Sequence, residues 1–524
     1  MSPLAPFLQL DHFGLALQIA LYAACALIFS IIVNVLWQCL PQKASEPPLV
    51  FHWIPFIGNA VSYGTDPCGF YINCRKKHGD VFTFILFGKK MTVYLGIDGN
   101  DFILNGKLQD VNAEEIYGPL TTPVFGSDII YDCPNAKLME QKKFIKFGLT
   151  QSALHSYVQL IEQEVINYLK TAPAFRGHSG TVNIPAVMAE ITIFTAGRAL
   201  QGIEVRNKLT AEFAELYHDL DLGFRPINFL MPWAPLPQNR RRDAAHAKMR
   251  SIYLDIINER RKSGIRPAEK DKDMIWHLMD CVYKSGQPLP DKEIAHMMIT
   301  LLMAGQHSSS SSSSWIMLRL ASHPDLVEAL YHEQMQNLSN NRSQLKPLQY
   351  EDINKLPLLQ NTVKETLRVH SSIHSLMRKV MRPMPIPNSK YVVTPDKVLV
   401  ASPIVTHLSE EYFPDAQVWD PRRWESATEI ETDGDMVDYG YGAVSKGTRS
   451  PYLPFGAGRH RCIGEKFAYV NLCTIIATLI RNLKLSTLDG KCWVPPTDYS
   501  SLFSRPTQPS EIRWERRFPE ATGC

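Results

Sequence analysis

Between His12 and Gln42 the chain carries no Lys, Arg, Asp or Glu, and Phe13–Leu40 is largely apolar. No other stretch restricts the fold so tightly. A helix of about 20 such residues crosses the hydrocarbon core of a bilayer, and this run has a turn or two to spare. A cleaved signal peptide would need a basic n-region, yet the first Lys or Arg is Lys43. A buried core helix is the other alternative, but few soluble helices are apolar all round over this length. Residues 1–42 are therefore read as a short luminal stub and a membrane span. Asp11 precedes the span and Lys43 follows it, which places the downstream chain in the cytosol.

The 524 residues are 45% hydrophobic and 20% charged, a balance that excludes disordered, collagen-like and coiled-coil chains. Basic and acidic residues nearly cancel, 55 against 52, so no nucleic acid is expected as a partner. Ten scattered cysteines, none in a Cys-x-x-Cys, argue against zinc ribbons, thioredoxin-like motifs and a disulfide scaffold. Unpaired thiols agree with a cytosolic domain, where the Asn-x-Ser sites at Asn337 and Asn341 go unglycosylated.

Prolines and glycines from Pro47 to Pro67 make residues 43–67 a stiff extended linker. Asp80–Gly96 has two apolar β-rich runs around Gly88-Lys89-Lys90, a hairpin signal. From about Gln151 to about Arg382 the patterns are mainly helical, as in Val158–Leu169 and Ala244–Arg261. Small strands return at Lys390–Val400, and Glu425–Asp438 reads as a solvated acidic loop. No repeat and no composition break divides residues 47–517, so one large domain is expected over 68–517, followed by a tail at 518–524. The fold class is mainly α with small β-sheets (α+β), tethered at one end.

One helix is expected from about Asp291 to His323, with acidic residues at its start and Pro324 as its stop. At about 1.5 Å per residue it crosses a whole domain. Its middle holds Ala304-Gly305-Gln306-His307 and then seven serines, Ser308–Ser314. A serine run is commonly a flexible linker. Here it lies between strongly apolar Ile294–Met303 and Trp315–Leu320 with no proline inside, which favours a buried helix whose backbone faces a cavity. Serine hydroxyls there can bond back to carbonyls one turn earlier.

The segment Phe455-Gly456-Ala457-Gly458-Arg459-His460-Arg461-Cys462-Ile463-Gly464 precedes a helical pattern at Glu465–Ile480. It reads as a glycine-relieved turn delivering one cysteine to a helix start, with amide N–H groups toward sulfur. The helix N-terminus and the flanking Arg459, His460 and Arg461 are expected to favour thiolate. Gly464 leaves room for something flat. One buried thiolate with backbone donors, beside cations for carboxylates, fits haem. A dinucleotide loop is excluded, because no third glycine and no βαβ unit accompany Gly456-x-Gly458.

This segment resembles the haem-binding loop of the cytochrome P-450 haem-thiolate monooxygenases, Phe-Gly-x-Gly-x-x-x-Cys-x-Gly. Glu365-Thr366-Leu367-Arg368 is similar to that family's Glu-x-x-Arg helix, which pairs with an arginine of Pro421-Arg422-Arg423-Trp424. The likeness implies a structural network of Glu365, Arg368 and Arg423. Tyr117–Pro134 (YGPLTTPVFGSDIIYDCP), Ala304–His307 and His370–Arg378 resemble the sterol 14α-demethylases, the fungal branch in particular. By that resemblance Cys462 is the axial thiolate on the iron of haem b, and Ala304, Phe455, Gly456 and Gly464 lie about the ring. Tyr117, Tyr131, Lys142, Arg378 and His460 would bind its propionates. Phe125, Phe224, Phe229, His374, Ser375, Leu376 and Leu502 would line the sterol site.

Family members commonly place an acid–threonine pair where this chain has His307-Ser308. Asp221 resembles the carboxylate that pairs with such a histidine, so Asp221, His307 and Ser308 are the expected proton path. Serine keeps the hydroxyl of threonine but loses the methyl that restricts χ1. The resemblance implies three successive oxygenations using O2 and electrons from NADPH, delivered by NADPH-cytochrome P-450 reductase. They would remove the 14α-methyl of lanosterol or eburicol as formate. It further implies a single-pass protein of the endoplasmic reticulum membrane with its catalytic domain in the cytosol. A haem-thiolate oxygenase of another lipophilic substrate and a non-catalytic haem sensor are the alternatives.

Overall fold

The computed structural model describes residues 5–209, 211–268, 272–340, 344–426, 428–429, 436–438, 443–445 and 447–518. Asn341, much of the acidic stretch Glu425–Asp438 and the tail beyond Phe518 lie outside the described residues.

The charge-free run lies in one helix, Ala5–Cys39, whose Leu17–Cys39 portion has a mean hydropathy of 2.5 and no buried residue. A core helix would be covered; this one has the length and composition to cross a membrane. At its end the Gln38 amide donates to the His52 carbonyl (2.8 Å) and accepts from the His52 N–H (3.0 Å). The following segment is extended only in part. Val50 donates to the Thr83 carbonyl (2.7 Å) and Thr83 to that of Pro48 (2.8 Å), so it lies along the first strand. A short helix, Ala60–Thr65, then forms. Pro67 is the first residue of the next helix, Pro67–His78, where the missing N–H of proline costs nothing and Asp66 caps Gly69.

The expected hairpin is Val81–Leu86 with Lys89–Tyr94, and its turn is Phe87-Gly88, both at positive φ. That is the two-residue turn that matches strand twist. Lys89–Tyr94 pairs in parallel with Lys397–Ala401, which pairs antiparallel with Leu376–Val380, and Val111–Asn112 closes the sheet. Because side chains alternate along a strand, Leu376 and Arg378 share one face, and Met377 and Lys379 take the other.

The long helix is Asp291–Ala321, ending just before Pro324. Its first half (Ile294, Met298, Leu302) belongs to one hydrophobic cluster with Phe224, Met249 and Tyr253. Its last turns (Trp315, Leu318, Leu320) belong to another, with Val158, Ile161, Ile475 and Leu479. Fully burying one such side chain contributes about 1.5–3 kcal/mol, so both ends are held firmly. The serine run between them is continuous helix. Ser308, Ser313 and Ser314 each bond the carbonyl four residues back, at 2.9, 2.7 and 2.6 Å. With those three hydroxyls satisfied inside the helix and its backbone continuous, the run has no reason to unwind, and the flexible-linker alternative falls away.

Glu365 and Arg368 lie in the helix Pro357–Val369 with no exposed surface, 2.7 Å apart. Glu365 also accepts from Trp424 Nε1 (3.0 Å), the Asp420 N–H (2.9 Å) and Arg423 Nε (3.3 Å). Arg368 donates to the carbonyls of His407 (2.7 Å), Ala416 (2.6 Å) and Val418 (3.0 Å). His407 carries the network onward, because its Nε2 accepts the Leu453 N–H at 2.8 Å. Burial, then Arg368, lowers His407 to about 3, so the ring is neutral and can accept. Arg368→Met takes from Glu365 its fully buried partner, leaves it with the longer ion pair to Arg423, and strips the His407 and Ala416 carbonyls of this donor; it is expected to lower stability by about 3–5 kcal/mol. Urea denaturation measures this, and a loss within experimental error would refute the assigned role.

Candidate active site

The cysteine loop follows Leu453 directly. Gly456 and Gly458 both hold positive φ, and a Cβ at Gly458 would sit 2.1 Å from the Leu104 carbonyl oxygen. Only glycine fits there. Cys462 N–H donates to the Phe455 carbonyl (3.0 Å), closing the loop, and Gly464 stands at the N-cap of the helix Glu465–Asn482. The Cys462 sulfur is open to a cavity and has no disulfide partner. A Cβ on Gly464 would meet nothing except that sulfur, at 3.8 Å, so the protein leaves the space above the thiol free. In the chain by itself the expected preference for thiolate is opposed by burial. Enclosure raises the thiol, and the Gly464 amide, Lys142 and Arg461 offset this only in part while Glu465 adds to it. The anion waits for a positive ligand to hold it.

The cavity, about 380 Å³, falls in the usual range for small-molecule sites. The helix Glu114–Phe125 contributes Tyr117, Thr121 and Phe125 at four-residue spacing, and the long helix contributes Ala304, Ser308 and Ser312 in the same way. Strand alternation turns Leu376 and Arg378 inward together. Tyr131, Phe224, Phe455, Gly456, His460, Cys462, Gly464 and Leu502 complete the residues that the sequence singled out and the fold brings to this space.

Four of the expected cofactor and substrate residues lie elsewhere. Lys142 bonds the carbonyls of Arg459 (2.7 Å) and Arg461 (3.2 Å), bracing the cysteine loop from behind. Ser375 sits in a polar cluster with the Tyr63 hydroxyl (3.1 Å), the Tyr71 hydroxyl (2.8 Å) and His374 Nδ1 (2.8 Å). It takes the opposite side of the chain from Leu376, and His374 packs against the rings of Tyr63 (5.8 Å) and Tyr499 (5.6 Å), so neither lines the cavity. Phe229 packs behind the wall in the cluster around Phe224.

The charge balance of the cavity is one-sided. Arg378 is 4% exposed, and its hydrogen bond goes to the neighbouring Met377 carbonyl (2.8 Å), with no ion pair among the described residues. His460 is lowered to about 3 by burial first, then by Arg378, Lys142 and Arg459. The carboxylate against it is Glu114, 3.9 Å away and already bonded to Asn135 (3.1 Å). Tyr117 accepts the Met377 N–H (3.0 Å), which leaves its hydroxyl proton free for a ligand. The rings of Tyr117, Tyr131 and His460 follow one another at 5.2 and 5.8 Å. Buried positive charge without anions is costly unless a ligand supplies them. A flat iron porphyrin with two carboxylates meets all three demands: an anionic sulfur, the open face at Gly464 and the unpaired cations.

Behind the wall, His307 Nε2 lies 3.1 Å from Asp221 Oδ1. Burial raises Asp221, but His307, then Arg505 and His218, draw it below the ordinary carboxylate range. Ser308, the next residue, faces the cavity with its hydroxyl on the Ala304 carbonyl. The His307 ring stacks on Phe503 (5.1 Å between centroids, 14° between planes) and meets Tyr217 at 5.2 Å. Phe503, Ser371 and Ser372 also line the cavity, and sequence reasoning passed over all three. No local pattern marks them: Ser371 and Ser372 lie in the connection that follows the helix Pro357–Val369, and Phe503 in the one that precedes the short strand Arg505–Pro506.

Residues 47–514 match the family model described as Cytochrome P450. The chain is 70% identical over 498 residues to the sterol 14-alpha demethylase CYP51A of Gibberella zeae, covering 95% of this chain and 98% of that one. It is 69% identical over 502 residues to a sterol 14-alpha demethylase of Aspergillus flavus, covering 96% and 97%. It is 61% identical over 509 residues to the eburicol 14-alpha-demethylase of Penicillium italicum, covering 96% and 98%. The solved structure of retinoic acid bound cyanobacterial CYP120A1 superposes with a TM-score of 0.74 at 20% identity, over 91% of this chain and 100% of that chain. That last likeness is one of fold alone.

Arg378→Met removes a buried cation that has no ion-pair partner. The haem-free chain is expected to gain about 1 kcal/mol, while the loaded protein releases haem about tenfold more readily. Thermal melting of both forms and haem transfer to apomyoglobin measure the two effects. A variant that melts lower and keeps its haem would refute the charge argument.

Proposed function

The chain belongs to the cytochrome P450 family, and from that premise we propose that it is a sterol 14α-demethylase. It removes the 14α-methyl of lanosterol or eburicol as formate in three successive oxygenations and leaves a 14,15 double bond. The observation that carries this reading is one cavity with the Cys462 sulfur at one end and the apolar side chains Phe125, Phe224, Leu376 and Leu502 about it. Relatives alike over nearly the whole chain bear the same activity in their names.

Haem b, bound through Cys462, supplies the activation of O2 that thiolate ligation favours. Arg378, His460, Tyr117 and Tyr131 would hold its propionates, and Lys142 would act indirectly by bracing the loop. The apolar wall excludes water and orients the sterol so that the methyl faces the reacting centre. Asp221 and His307 bring protons from the outer side of the wall. Ser308 passes them on, and to do so its hydroxyl must leave the Ala304 carbonyl. That rotation is easier for serine than for threonine. Electrons come from NADPH through a separate reductase. The helix Leu17–Cys39 anchors the enzyme in the endoplasmic reticulum membrane with its catalytic domain in the cytosol, where sterol and reductase share the surface.

The reduced, carbon-monoxide-bound spectrum tests the ligand: wild type gives the thiolate signature and Cys462→Ser does not. Titration of a 14-methyl sterol should convert the oxidised protein to high spin, and no spin change would refute the substrate. Asp221→Asn should lower the fraction of NADPH electrons that reach product by about 10-fold or more, with the spectra intact. Full coupling in that variant would remove Asp221 from the path.

A further inference from the structure

Ser308, Ser313 and Ser314 bond back within their own helix, and Ser312 meets the Ser372 hydroxyl at 3.4 Å, but Ser311 makes the shortest bond out of the helix. Its hydroxyl leaves the helix and donates to the Ser504 carbonyl at 2.6 Å. Ser504 is tied twice more, its hydroxyl to the Ser371 carbonyl (2.6 Å) and its N–H to the Ser372 carbonyl (2.9 Å). Ser311 is 7% exposed and Ser504 2%, so each of these polar groups would be left unpaired if its partner were lost. The residue before Ser504 is Phe503, whose ring lies nearly parallel on His307. The residue after it is Arg505, whose charge acts on Asp221 and which is paired with Asp498 at 3.0 Å. His307 and Ser311 stand one turn apart on the same helix face, so the loop rests on both at once.

We propose that Ser311 is a positioning residue for the proton path: by fastening Ser504 it presses Phe503 onto His307 and keeps that imidazole beside Asp221, 3.1 Å away. The ring plane of a histidine sets where Nε2 points, and the stack restricts its rotation. Ser311 touches neither substrate nor cofactor; it acts through Phe503. The inference rests on the Asp221–His307 path proposed above and adds to it the element that holds the path in register.

The test uses the full-length holoenzyme with its reductase and compares Ser311→Ala, Ser311→Thr, Phe503→Leu and Asp221→Asn. Ser311→Ala should lower the coupling of NADPH to demethylation about tenfold, raise the solvent deuterium isotope effect on turnover and speed amide exchange across residues 502–505. Its carbon-monoxide spectrum and sterol-induced spin change should stay as in wild type. Ser311→Thr, which keeps the hydroxyl, should restore coupling, and Phe503→Leu should reproduce the loss. The proposal is overturned if Ser311→Ala couples normally beside a defective Asp221→Asn, if threonine is no better than alanine, if Phe503→Leu couples normally, or if Ser311→Ala loses its spectrum. Normal coupling in Asp221→Asn overturns the proton path itself and this proposal with it.

Discussion

The cysteine loop is positioned by a buried ion pair that never touches it. Glu365 and Arg368 have no exposed surface, and between them they bind the carbonyls of His407, Ala416 and Val418 and the side chains of Arg423 and Trp424. A buried pair of this kind adds little net stability, since desolvation offsets the attraction. What it supplies is uniqueness, because any displacement of the 407–424 stretch strands a charge. His407 converts that rigidity into a position for the loop, holding the Leu453 N–H just ahead of Phe455.

A second constraint works in the opposite direction. The site sets Arg378 and His460 on one cavity, with Lys142 and Arg459 close behind His460, and little negative charge balances them. It also holds a thiol that the surroundings alone do not ionise. Such a site is unfavourable by itself and becomes favourable with an anionic, metal-bearing guest, so folding free energy and cofactor affinity are coupled there. The two hydrophobic clusters gripping the ends of the long helix hold the site open while its middle turns face the cavity.

Much of this was legible in the chain. The hairpin, the long helix with its stop at Pro324, the helical serine run and the glycine-relieved cysteine turn all follow from local rules of spacing and backbone freedom. Lys142, His374, Ser375 and Phe229 illustrate where such reading stops. Their residue types suit a binding site, but whether a side chain faces the cavity depends on register. Leu399 pairs with Arg378, and that pairing turns Leu376 and Arg378 inward. The ionisation of Cys462 is likewise not decided by its sequence neighbours alone. The cations near Cys462 are countered by its enclosure, a quantity set by everything packed around the loop.

By itself, then, the sequence determined those features whose physics is local: an uncharged span long enough for a bilayer, a turn only glycine can make, a cysteine at a helix start. The tertiary structure alone decided which cations lack partners, that His407 ties the ion pair to the loop, and that Phe503 covers His307. Those facts arise from groups far apart in the chain that share one low-dielectric space. Burial, charge and hydrogen bonding there depend on every neighbour at once, and no window of residues contains them.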